Sequence, residues 1–437
     1  MRTLDWSSLD EAGRRDALAR PARRTDAAVS DAVRRIFDDV QARGEAALND
    51  WCVKLDRAPP RRLAITPAAV AEARAAVTPE DEAALKTAAD NVRRFHEATK
   101  PADSDWIETT PGVRSRRVWR PIEAAGLYVP AGTAPLFSTL LMLAIPAAVA
   151  GVPVRAAVTP PGPTGQPLPM MILAADLAGL DALWIVGGAQ AIAALTFGVG
   201  GLPRVDKLFG PGNAYVAEAK KQAAALPGGP ALDMPAGPSE LMVIADRQTN
   251  PTIAAADLLS QAEHDADAQV ILVCDDDRRI EYILEEIDKQ LADLPRAAIA
   301  RASLSEGRVI RVKDTAEAAE VANLYGPEHL SIQTADADAL VDRITAAGAV
   351  FVGTYAAETL GDYAAGPSHV LPTDGAARAW ASRPSSRARR AATGPSTRAP
   401  SRLTCCTDMA VMKALVETPE KARAAPSVGS TWLGPAA

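Results

Sequence analysis

Apolar positions recur at spacings of three and four among charged residues from Asp26 to Trp51 and again from Pro67 to His96, so residues 1 to about 100 read as helical. His96, at the end of the second pattern, reads as a solvated helix residue. From Val113 the texture changes: VRSRRVWRPIEAAGLYVPAG predicts extended chain closing in a Gly/Pro turn. There follow a strand over VRAAVTP, a helix over MMILAADLAGL, the strand ALWIVGG, the helix AQAIAALTFG, and a turn opening into a helix over KLFGPGNAYVAEAKKQAAA. A second run has the strands ELMVIAD, QVILVC, GRVIRV, HLSIQT and AVFVGTY. The helices between them are one ending at His264, RRIEYILEEIDKQL, TAEAAEVANLYG and ADALVDRITAAG. Strands alternating with helices imply parallel sheets covered on both faces, so the fold class is α/β with two sheet domains.

One stretch departs from this alternation. APLFSTLLMLAIPAAVAGV, Ala134 to Val152, carries no charge and is nearly long enough to span a bilayer. Pro146 interrupts it and α/β patterning continues on both sides, which favours a buried interdomain helix. The N-terminus is charged throughout and lacks the apolar run of a secretory signal. A net charge of -7 argues against a general nucleic-acid binder and for a small-molecule partner. The four cysteines show neither CxxC spacing nor a disulfide framework, which fits a reducing, cytoplasmic setting. From Gly375 to Thr407 there are seven arginines and no acidic residue, with Ser, Pro and Ala dominant; that composition predicts little packed structure. A short helical pattern follows around Asp408 to Arg423.

Polar groups suited to chemistry concentrate in a few loops. In NPTIAAADLLSQAEH, Asn250 and Pro251 read as N-cap and first helical residue, and Gln261 and His264 share a face of the last turn. A carboxamide oxygen and an imidazole can hold a borderline cation such as zinc if other ligands converge; alone, the pair reads first as a solvated helix end. YGPEHL sets Glu328 and His329 between a helix and a strand, where a carboxylate and an imidazole could serve two separate proton transfers, or be a surface Glu beside a strand His. GDYAAGPSHVLP places Asp362 and His369 in a glycine-rich loop after a strand, the usual position of α/β sites. Three of the chain's four histidines lie in these loops. The glycine turns LYVPAG, IVGGAQA and FGPGNAYV suit close approach of backbone to a ligand, yet none is GxGxxG with an acidic residue some twenty positions on. Ser239, in DMPAGPSE, reads first as a turn residue.

Taken in order and spacing, GLYVPAG, VGGAQA, GPGNAYV, DMPAGPSE, DLLSQAEH, GPEHL and GDYAAGPSHVLPT resemble the histidinol dehydrogenase family over roughly Asp26 to Thr373. The resemblance implies a cytoplasmic, homodimeric enzyme with one Zn2+ per subunit, oxidising L-histidinol to L-histidine through an aldehyde with two NAD in histidine biosynthesis. It implies two incomplete Rossmann-like domains, one inserted in the other: residues 26–127 with 238–373, and 128–237 on the NAD side, flanked by an N-terminal helical arm (1–25) and the atypical tail (374–437). By motif, Gln261, His264 and Asp362 would bind zinc, and Ser239 would contact substrate together with Gln261, His264, His329 and Asp362. Tyr128, Gln190 and Asn213 would line the NAD site, with Glu328 and His329 as the acid-base pair. The family's C-terminal domain carries a Glu and a His, the latter a zinc ligand reaching the partner subunit's site. Here no histidine follows His369. That departure keeps two other readings in view: a relative oxidising another amino alcohol or polyol, and a chain inactive for want of the C-terminal ligand.

Overall fold

The computed structural model describes residues 1–20, 27–131, 136–162, 164–233 and 238–358, single positions and short pieces between 361 and 376, and the backbone of 389–390, 402–405 and 411–417. The chain opens with β1 (Arg2–Asp5) and α1 (Glu11–Ala17), then α2 (Ala27–Arg43), α3 (Glu45–Leu55), β2 (Arg61–Ala64), α4 (Pro67–Ala75) and α5 (Pro79–Thr99). A hairpin of β3 (Ile107–Thr110) and β4 (Val113–Arg120) leads into β5 (Ala124–Tyr128), α6 (Phe137–Ala150), β6 (Val154–Thr159) and α7 (Pro169–Leu177). Next come β7 (Ala182–Ile185), α8 (Gly188–Phe197), β8 (Lys207–Phe209), α9 (Ala214–Ala225) and β9 (Ala231–Leu232). The second run is β10 (Glu240–Ala245), α10 (Pro251–Ala262), β11 (Gln269–Cys274), α11 (Asp277–Asp293), α12 (Ala297–Glu306), β12 (Arg308–Arg311) and α13 (Thr315–Tyr325). It continues with β13 (His329–Ile332), the short α14 (Ala337–Leu340), β14 (Ala349–Val352), β15 (Arg389–Arg390), β16 (Arg402–Cys405) and β17 (Val411–Glu417).

Two sheets share one topology. In the six-stranded sheet, β7-β6-β5-β8-β9 are parallel with β2 antiparallel at the edge; in the eight-stranded sheet, β1-β12-β11-β10-β13-β14 are parallel. Each therefore starts at a central strand, winds outward one way and then reverses, with switch points at β5/β8 and β10/β13. Because β1 belongs to the eight-stranded sheet, the whole six-stranded unit is inserted between β1 and β10. Along β10, Leu241, Val243 and Ala245 face one core and Met242 and Ile244 the other, which explains why LMVIA after Glu240 is a continuous apolar run. Each such fully buried Leu, Ile or Val contributes about 1.5–3 kcal/mol.

Several expectations change in tertiary context. The expected division grouped 26–127 with 238–373, but β2 pairs with β7, and Val33, Phe37, Val70, Leu85 and Val92 of the early helices pack in the cores of the six-stranded sheet. The 1–25 arm is not purely helical either, since β1 adds to the eight-stranded sheet through β12. Each long helical pattern is two helices. Gly44, at φ +61°, breaks the first, and Thr78 and Pro79 start a new helix in the second. His96 is buried, because it continues the Leu85, Ala89, Val92 stripe that α5 presents to α6. The apolar segment forms α6, buried inside the six-stranded unit against α5 and α7 rather than between domains. No described helix is long and apolar enough to cross a membrane. Instead of the helix expected around Asp408 to Arg423, β17 pairs antiparallel with β4 from Val411↔Arg120 to Glu417↔Arg114, which supplies the hairpin's open edge with ladder partners.

Candidate active site

The residues singled out by sequence fall into two groups at defined edges of the two sheets. Tyr128 ends β5, Gln190 lies in the first turn of α8 after β7, and Asn213 caps α9 after β8, so all three sit at the carboxyl edge of the six-stranded sheet, beside its switch point. Two helix N-termini open there, a setting that favours anionic groups. Glycine is required at two places in this edge. Gly210, at φ +113°, would bring a Cβ within 2.0 Å of Tyr128 O, and Gly188, at φ +61°, would bring one within 2.6 Å of Gln190 Oε1.

Gln190 is fully buried; its Nε2 donates to Asp56 Oδ2 at 3.0 Å, while its Oε1 has no hydrogen-bond partner among the described residues. Thr159 Oγ1, at the end of β6, is likewise buried without a partner among the described residues. Buried polar atoms are nearly always satisfied, so these two fit a bound group that supplies the missing contacts. Tyr128 is buried, with its hydroxyl oxygen accepting the Gly188 N–H at 3.2 Å, and burial pushes its pKa up to about 12, so it stays protonated. Asn213 spends its Oδ1 on the N–H groups of Tyr215 and Val216, capping α9 while its side chain stays exposed.

The second group sits at the amino edge of the eight-stranded sheet. Ser239 precedes β10, Glu328 precedes and His329 begins β13, and Gln261 in the last turn of α10 and His264 just past it lie on the way into β11. An α/β sheet ordinarily carries its site at the carboxyl edge, and the reason for the opposite choice lies at Glu240. The β10–β13 ladder begins at Leu241↔His329, one residue past Glu240, so on that side the Glu240 backbone meets the side chains of the pair. Its N–H donates to Glu328 Oε2 at 2.9 Å, and its carbonyl receives His329 Nδ1 at 3.0 Å. A carbonyl only accepts, so Nδ1 carries a proton; in the neutral imidazole the lone pair is then on Nε2. Glu328 and His329 are both buried, with Glu328 Oε2 3.7 Å from His329 Nδ1, and the imidazole lies 6.1 Å from the Phe351 ring. Backbone atoms of one residue thus hold the carboxylate and the imidazole in fixed orientations.

Helix α10 starts as expected, with Asn250 accepting from the Thr252 and Ile253 N–H groups and Pro251 next, but stops at Ala262. Gln261 is buried with no partner for Oε1 among the described residues; His264, past the helix end, is exposed. The pair is therefore split between inside and outside. An orphaned buried carboxamide oxygen is what a metal-ligand position requires before metal is bound. One turn earlier, Asp257 is buried and accepts from Gln333 Nε2 and the Glu358 N–H, each at 3.0 Å; burial drives its pKa upward. Among the described residues no group of three His, Cys, Asp or Glu could hold a metal. Asp362 and His369 lie outside the described residues. Ser239 is half-buried and its carbonyl accepts the Gln269 N–H at 2.9 Å, which fixes its backbone beside Glu240.

Asp56, Thr159 and Glu240 escape motif reading. Asp56 looks like an ordinary helix C-cap, Thr159 like a strand end, and Glu240 like the first residue of a strand. Asp56 precedes Arg57, the single non-glycine residue with positive φ (59°) among those described, a turn that only the structure reveals.

Comparison with known proteins adds to this geometry. The family model described as histidinol dehydrogenase matches residues 18–383. The histidinol dehydrogenase of Shigella dysenteriae serotype 1 is 47% identical over 372 residues, 85% of this chain and 85% of that protein. That of Xanthomonas euvesicatoria pv. vesicatoria is 47% identical over 380 residues, 87% of this chain and 88% of that one. The crystal structure of histidinol dehydrogenase from Elizabethkingia anophelis superposes with a TM-score of 0.85 at 36% identity, covering 96% of this chain and 91% of that one.

Proposed function

This chain belongs to the histidinol dehydrogenase family, a family of oxidoreductases, and from that premise we propose that it oxidises L-histidinol to L-histidine in two hydride transfers to NAD. The observation that carries the reading is the buried Glu328–His329 pair, oriented by the N–H and carbonyl of Glu240. His329 Nε2, left with its lone pair, would take the hydroxyl proton of the alcohol as hydride departs from the carbinol carbon. Glu328 would take a proton from the water that adds to the aldehyde, preparing the second hydride transfer. Ser239, His264 and Asp362 would complete the substrate contacts. Gln261, His264 and Asp362 would hold zinc, and the orphaned Gln261 Oε1 supports that role. Gln190 Oε1, Thr159 Oγ1, Asn213 and the Gly188 and Gly210 turns would receive NAD, with Tyr128 beneath them. When bound, NAD supplies the hydride acceptor and zinc orients the alcohol. The same reading carries the family's homodimer and its cytoplasmic place.

The test is zinc content and NADH formation with L-histidinol on the full chain. About one zinc per chain and two NADH per histidinol support the reading. Little zinc and no turnover, both restored by grafting a family-like C-terminus after Thr373, would assign the defect to the atypical segment that follows Thr373. No turnover even with the graft would sink it.

A further inference from the structure

The Glu328–His329 pair hangs on Glu240, and Glu240 is in turn gripped from the N-terminal arm. Arg20 Nε donates to Glu240 Oε1 at 2.6 Å and Nη2 to Oε2 at 2.8 Å, a two-pronged ion pair. The Glu240 side chain is 1% exposed and that of Arg20 15% exposed, so the pair is shielded from water. The same guanidinium lies 3.8 Å from the Tyr325 ring centroid and donates to the carbonyls of Tyr325 at 3.1 Å and Gly326 at 3.4 Å. Tyr325 is pinned at its other end, where its hydroxyl donates to Gln269 Oε1 at 2.9 Å. Arg20 thereby ties three things together: the first residue of β10, the end of α13, and the turn of Gly326 and Pro327 that delivers Glu328 and His329.

We propose that Arg20 is a positioning residue for the Glu328–His329 pair, acting through Glu240 and the Tyr325–Gly326 carbonyls to fix the imidazole tautomer and the carboxylate rotamer. Arginine suits this role because its planar fork satisfies a carboxylate in two-pronged fashion while its face stacks on an aromatic ring. Without it, Glu240 would be a buried carboxylate that has lost this two-pronged counter-charge. Glu240 would then have to protonate or turn toward water, and its backbone would move with it. His329 Nδ1 and Glu328 Oε2 both bond that backbone, so each would lose its fixed partner. Arg20 reaches the pair through Glu240 and the Tyr325 and Gly326 carbonyls, so its influence is indirect.

The inference rests on the acid-base reading of Glu328 and His329, but its first readout needs no turnover. With ring-15N histidine in the full chain, four histidines give four pairs of ring nitrogen signals, and loss of one pair in His329→Asn assigns it. The wild type should show His329 neutral with the proton on Nδ1. Arg20→Met should mix the two tautomers, and Arg20→Lys, which keeps the charge but not the fork, should restore part of the Nδ1–H population. In turnover, Arg20→Met should lower kcat by about 10- to 100-fold with KM for the alcohol little changed. In a Glu240→Gln background it should add less than it does alone, since both act through one contact. An Arg20→Met protein with the wild-type tautomer and kcat and only a lower Tm would overturn the proposal. If Arg20→Met does not fold, Arg20→Lys decides alone, a wild-type tautomer and kcat counting against. A protein whose His329 tautomer responds to Arg20 but which never oxidises L-histidinol would leave this inference standing and remove the functional reading instead.

Discussion

Asp56 and Gln190 stand 134 positions apart and meet in one buried contact: the Gln190 amide donates to the same Asp56 oxygen that receives the Gly187 N–H, at 3.0 and 2.9 Å. A carboxylate from the end of α3 therefore sets both the glycine turn and the glutamine that line the carboxyl edge of the inserted sheet. Asp56→Ala should cost about 1–3 kcal/mol, because two donors lose their acceptor. The KM for NAD should rise about tenfold, the size of one lost hydrogen bond of 1.4 kcal/mol, with kcat near normal. Asp56→Asn should be nearly silent, since one oxygen accepts both donors and the asparagine Oδ1 placed there keeps both contacts. Urea unfolding with steady-state kinetics separates the outcomes; an Asn variant as impaired as the Ala variant would mean that the negative charge itself is used.

Gln261 should show opposite effects on the free and the metal-loaded protein. In the free chain its buried Oε1 lacks a partner among the described residues, so Gln261→Leu should leave stability unchanged or raise it by about 1 kcal/mol. Added zinc should raise the wild-type Tm and leave that of Gln261→Leu unmoved, as binding to the folded state alone requires. Equal zinc shifts in both proteins would take Gln261 out of the ligand set.

Two glycines with positive φ should respond very differently to alanine. Gly210→Ala brings a Cβ to 2.0 Å from Tyr128 O, against backbone that cannot yield cheaply, whereas Gly112→Ala at φ +79° meets nothing within 4 Å. The first should cost more than about 3 kcal/mol and the second about 1 kcal/mol. Paired denaturation curves test this, and similar losses at both positions would remove steric closeness as the reason for glycine at 210.

The pH dependence of stability should carry the signature of Asp257. Burial, the largest influence on it, raises its pKa above 3.8, outweighing the hydrogen bonds from Ser331, Glu358 and Gln333. The folded state thus binds this proton more tightly than the unfolded chain. The contribution of Asp257 is greatest below about pH 3.8 and falls as pH rises through the raised folded value. Asp257→Asn removes that falling limb, so its stability relative to wild type should improve as pH rises across that window, with Gln333 Oε1 free to accept from the new amide. Urea midpoints of both proteins at matched pH values measure the difference; one that is flat or declines with pH would contradict the assignment.

The order of apolar runs and glycine turns along the chain determined the α/β class, the doubled sheet and the placement of Glu328, His329, Gln261 and Gln190 at the ends of strands and helices, because period and turn chemistry are local properties of a chain. The stripe Leu85, Ala89, Val92 likewise declared its buried face, and Asn250–Pro251 its helix start. Tertiary structure decided what local pattern cannot encode. Helices α2 to α5 joined the six-stranded sheet, His96 went inside, and 411–417 took strand form on the open edge of β4, since each depends on which surface arrives to cover it. The same holds at the site. Gln190 and the Glu328–His329 pair are oriented by residues far off in sequence: Asp56 reaches Gln190 across 134 positions and Arg20 reaches Glu240 across 220. Side chains that act by accepting or neutralising across such distances leave no spacing to read, because their partners become near only once both sheets have formed.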